Sequence, residues 1–165
     1  MMYLFVLNEV GLSKSDISDF LSLVHFSSMD LFFLQSVQAH ISMFDREIVE
    51  HVIGSSLSEF DSHTNKRFDI GEIDSIVSAL FRDLFIGSFD ISHVSDVVKS
   101  LIRLKVIGLS LPRIYALYSH YAEFVSSHIF LLKKNDVDGY HGAVSSFHKA
   151  ININLYFASK VYGAN

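Results

Sequence analysis

A single proline, Pro112, in 165 residues constrains this chain more than any other feature. Proline is the strongest helix breaker, and its near absence lets helices run long. Apolar residues recur at spacings of three and four rather than two, which is the period of helices with one buried face. Start signals recur as well. Ser13-x-x-Asp16, Ser27-x-x-Asp30 and Asp69-x-x-Glu72 have the spacing of a capping box or a close variant. The expected elements are helices at about 14–25, 29–43, 45–59, 71–86 and 91–108, one from Pro112 to about Leu132, and a last one at about 140–162. The polar stretch Asp61 to Phe68 and the segment Asn135 to Gly142 read as a loop and a turn, and Gly87 as an αL cap. The fold class is all-α, in one domain spanning 1–165.

Half of the residues are hydrophobic and 19% are charged, and fifteen Phe and seven Tyr supply ample area for a core, so disorder is excluded. Cysteine is absent, which excludes disulfides, thiolate metal sites and a cysteine nucleophile. The formal charge of −5 and the scattered Lys and Arg carry no basic stripe of the kind a nucleic-acid binder shows. Met1 to Leu7 is apolar without a preceding cation, a poor match to a secretory signal. Apolar runs are too broken to span a bilayer. A cytoplasmic location and no membrane partner are the expectations.

Mean hydropathy is +0.33, more apolar than one monomer's core requires. In the last helix Phe147, Ile151, Leu155, Ala158 and Tyr162 form one stripe, while Ile153, Phe157 and Val161 lie off it. That second face calls for a second subunit. With Phe124 of the preceding helix, Ile153, Phe157 and Val161 are the expected interface of a homodimeric helical bundle.

No chemistry emerges from the motifs. The nine histidines include no pair three or four residues apart, the spacing by which two imidazoles on one helix hold one metal. No metal site is expected. Phosphate-cradling glycine loops and a Gly-x-Ser-x-Gly nucleophile elbow are both absent. The chain does not read as an enzyme.

Three stretches carry a resemblance. They are Leu84-Phe85-Ile86-Gly87-Ser88-Phe89-Asp90, Ile107-Gly108-Leu109 followed by Pro112 and Tyr115, and Phe147-His148-Lys149-Ala150-Ile151-Asn152-Ile153. With Gly11-Leu12-Ser13, Phe20-Leu21 and Met29-Asp30-Leu31, they make nearly the whole chain resemble the sensor-globin family. That family comprises the globin domains of globin-coupled sensors and the globin-like N-terminal domains of stressosome sensor-scaffold proteins. The resemblance implies a globin-like sensor fold dimerising through its two long C-terminal helices, with an output domain following. It implies a non-enzymatic role in stress-response signal transduction, with stressosome scaffold or anti-sigma-antagonist proteins as partners.

In haem-binding members the proximal histidine lies three residues before the Ile of Ile-Gly-Leu. Here that residue is Leu104, or Lys105 with a one-residue slip, and the distal tyrosine position falls on Ile53. No cofactor is therefore expected. The alternative is a haem-based oxygen or gas sensor with unusual ligation. For it, His93, His120 and His128 are the candidate ligands.

Overall fold

The computed structural model describes residues 2–57, 69–86 and 89–164. Seven α-helices are seen among them. They are α1 (Met2–Glu9), α2 (Lys14–Leu23), α3 (Ser28–Leu57), α4 (Ile70–Asp83), α5 (Ile91–Ile107), α6 (Leu111–Lys133) and α7 (Val137–Gly163). The loop expected at 61–68 and the cap at Gly87 lie outside the described residues.

Local signals act where the sequence put them. Ser13 and Asp16 form a reciprocal capping box, with Asp16 N donating to Ser13 Oγ at 3.0 Å and Ser13 N to Asp16 Oδ2 at 2.9 Å. Asp69, Asp90 and Asp136 each accept from the backbone N–H three residues on, which starts α4, α5 and α7. Pro112 sits in the first turn of α6, where its missing N–H removes no helical bond. Gly108 ends α5 at φ 111°, and the N–H groups of Gly108 and Leu109 both reach Leu104 O.

Three elements differ from expectation. The apolar Met2–Glu9 stretch is a helix, α1, that packs on α5, buries Leu7 and stops at Gly11 in the left-handed region. The helices expected at 29–43 and 45–59 are one helix of 30 residues. Between them the polar Asp45-Arg46-Glu47 imitates a restart, but Leu34, Val37, Ile41, Ile48 and Val52 keep to one buried stripe and nothing there breaks the backbone. The turn expected at 135–142 is shorter, since α7 already begins at Val137 under its Asp136 cap.

The core is one continuous cluster. α3 packs against α6, α7 and α4, and α6 and α7 pair with each other. At Gly142 of α7 a Cβ would stand 2.3 Å from the Phe33 ring of α3, so glycine permits that close approach. No single helix among the described residues is long and apolar enough to cross a membrane.

The last helix corrects the residues expected at a dimer interface. Ile153, Phe157 and Val161 are 0–1% exposed within the single chain. These positions face the chain's own core, because α7 is wrapped on different sides by α3, α5 and α6 and its apolar arc is correspondingly wide. Of the four expected interface residues, Phe124 alone keeps an outer edge. It is half-buried, with its ring 4.1 Å from that of His51.

Candidate functional site

On α5 the residues Val94, Val97, Val98, Leu101 and Leu104 point inward, and Leu104 is 1% exposed. Its neighbour Lys105 is turned away from the core, because successive side chains on a helix diverge by about 100°. Ile53 of α3 is 5% exposed and belongs to the same core cluster. Both pocket positions are thus filled by branched hydrocarbon, which has no lone pair to offer a metal.

Aromatic rings continue this core. Phe81 of α4 stacks on Tyr121 of α6 at 3.8 Å between centroids, and Tyr118 meets Phe81 edge-on at 5.5 Å. Phe85 stacks on Phe147 at 5.4 Å, and Tyr121 lies 5.8 Å from Phe147. The Tyr118 hydroxyl accepts from Asn154 Nδ2 at 3.0 Å, while burial pushes its pKa well up. The Tyr121 hydroxyl is buried with no hydrogen-bond partner among the described residues, and its pKa is raised mainly by burial and further by Asp45. Both phenols stay neutral at physiological pH. Asp45 itself is shifted up by burial, against the opposing pull of Arg82 and Arg46.

The three histidine candidates are held elsewhere. His93 sits in the first turn of α5, its backbone N–H capped by Asp90 at 2.8 Å and its ring 6.1 Å from Phe89. Eleven residues separate it from Leu104, roughly 16 Å along the helix. His120 is half-buried on α6. His128 stacks against Phe44 at 4.6 Å and lies 6.1 Å from the His40 ring of α3. No histidine among the described residues is buried, and none of these candidates is gathered with Leu104 in the apolar core. At Leu104 and Ile53 themselves the core offers hydrocarbon and no imidazole.

Several features escaped the sequence reading. His40 and Phe44, four residues apart on α3, meet His128 on α6, and the buried Nε2 of His40 has no hydrogen-bond partner among the described residues. The i, i+4 spacing of His40 and Phe44 hinted at a shared face, but only the packing shows what it meets. The partners of Lys105 on α7 left no mark in sequence spacing at all.

No protein-family profile matches the chain, and no curated protein does. Among solved structures, the globin domain of a globin-coupled sensor from Geobacter sulfurreducens aligns with a TM-score of 0.70 at 18% identity. The alignment covers 88% of this chain and 96% of that domain. The fold is globin-like, as its sequence resemblance implied.

Proposed function

We propose that this chain is a non-enzymatic sensory domain of globin fold that works without haem and passes its signal through α6 and α7 to an output region. The observation that carries the reading is Leu104, buried to 1% exposure where the family resemblance calls for a proximal imidazole. A homodimer through α6 and α7 then has to use their outer residues, such as Tyr115 and Asn152, because Ile153, Phe157 and Val161 are spent inside. The finer form of the proposal is a cytoplasmic stressosome domain acting with scaffold or anti-sigma-antagonist proteins. It rests on sequence resemblance alone, in Ile107 to Ser110 and Ala122 to Phe124.

A second reading is a haem-based gas sensor with unusual ligation. The solved neighbour favours it over the stressosome form, because that neighbour is the globin domain of a globin-coupled sensor. The hydrocarbon at 104 and 53 opposes it. An absorption titration of the purified chain with hemin, oxidised in air and then reduced without oxygen, separates the two. A spectrum without a sharp Soret band and without saturable uptake is the expected result. One haem per chain with an oxygen-dependent shift would replace the haem-free proposal by the second reading.

A further inference from the structure

The last turn of α7 is held from another helix. Lys105 of α5 donates from Nζ to Val161 O at 3.0 Å and to Ala164 O at 3.0 Å, and the ammonium lies 5.7 Å from the centre of the Tyr162 ring. Tyr162 answers in the other direction, donating its hydroxyl to Leu109 O at 2.6 Å, just past the end of α5. Carbonyls in the last turn of a helix have no intrahelical donors and gather partial negative charge. Here a cation delivered by α5 satisfies one of them, that of Val161, together with the Ala164 carbonyl just past the helix. The helix ends at Gly163, and Ala164 beyond it is extended (φ −78°, ψ 139°), with its carbonyl on the same ammonium.

Little else encloses this end. Open clefts of about 610 Å³ and 580 Å³ border it; the first is lined in part by Asn8 and Lys160, the second by Ile102 and Val106. The same turn of α5 therefore plugs the core with Leu104 and grips the end of α7 with Lys105.

We propose that Lys105 and Tyr162 form a latch that couples the last turn of α5 to the last turn of α7. Engaged, it holds the last turn of α7 closed. Released, it leaves the Val161 and Ala164 carbonyls without their cation, and the last turn of α7 loosens. A displacement of α5 against α7 is thereby read at the end of α7. Its signalling purpose rests on the sensor reading above, whereas the latch itself does not.

Residue-resolved hydrogen exchange on the full chain tests it, with Lys105→Met, Lys105→Arg and Tyr162→Phe beside the wild type. Lys105→Met keeps the aliphatic stem and removes the donors. It should speed exchange of the Val161 to Ala164 amides by about ten-fold or more, while global unfolding in urea stays near the wild-type midpoint. Lys105→Arg should keep most of the protection. Tyr162→Phe should loosen the same amides and also those of Gly108 and Leu109 at the other end of the contact. Unchanged exchange at 161–164 in Lys105→Met would overturn the latch. So would acceleration spread evenly along α7, which would mark an ordinary stabilising contact. Hemin uptake bears on the sensor reading and has no part in these rates.

Discussion

Near its start α7 is fastened by side chains to side chains, whereas at its end it is fastened by a side chain to its own carbonyls. In the first region Asp30 of α3, 6% exposed, accepts from Ser146 Oγ at 2.8 Å and from Lys149 Nζ at 3.1 and 3.2 Å. Lys149 also donates to His25 O at 3.0 Å, in the turn before α3. Gly142 admits Phe33 close by, so the fit there is steric as well as polar. In the second region the grip of Lys105 is bordered by open clefts on the surface. A buried, multiply bonded carboxylate leaves the first region one arrangement, because undoing it strands charges and donors. A solvent-bordered ammonium on backbone oxygens can let go at small cost. The difference marks the start of α7 as anchor and its end as the part able to move.

The most severe test breaks the interior between these two regions. Phe157→Glu places a carboxylate at a position with no exposure, and the domain should lose about 4 kcal/mol or more and largely unfold, as read by circular dichroism and urea titration. A folded monomer would instead mean that Phe157 faces a second subunit.

Asp30→Ala tests the anchor and should cost about 2–3 kcal/mol, since it leaves Ser146 and Lys149 without their common partner. Burial alone would raise the Asp30 pKa, but Ser146, the Ser27 N–H and Lys149 outweigh it and hold the carboxyl below its ordinary 3.8. With the folded value depressed, the unfolded chain takes up the proton first. The contribution of Asp30 is therefore complete above about pH 4 and fades as pH falls through the folded value. The gap between wild type and variant should stay level from neutral pH down to that point and narrow below it. A gap that is flat through pH 2 would remove the ion pair from the account.

The gentlest test concerns His25, which holds φ 55° in a region that favours glycine. Its side chain is exposed and its carbonyl is what Lys149 binds. His25→Gly should leave the anchor intact and raise stability by about 0.5 kcal/mol in a thermal melt. A clear loss of stability would show that the imidazole contributes to the anchor.

The cap residues Ser13 and Asp69 and the hydrocarbon at position 104 were legible before any coordinates, because each acts within a turn or two of itself. The break expected in α3, where the helix is continuous, shows the limit of that reading. Asp45-Arg46-Glu47 looks like the start of a helix until the stripe on either side proves continuous. The candidate site was half legible: the identities at 104 and 53 were plain, but the ring cluster from Phe81 to Phe147 joins residues far apart in the chain.

By itself the sequence determined α2, α4, α5, α6 and α7, most of their ends and the hydrocarbon at position 104, since capping, glycine cap geometry and side-chain chemistry are local. Only the tertiary structure decided that Ile153, Phe157 and Val161 are interior, that His128 turns to His40, and that Lys105 closes a helix not its own. A helix face records that it is apolar, or that it carries a cation. What fills the space opposite depends on segments tens of residues away, and that is settled by packing.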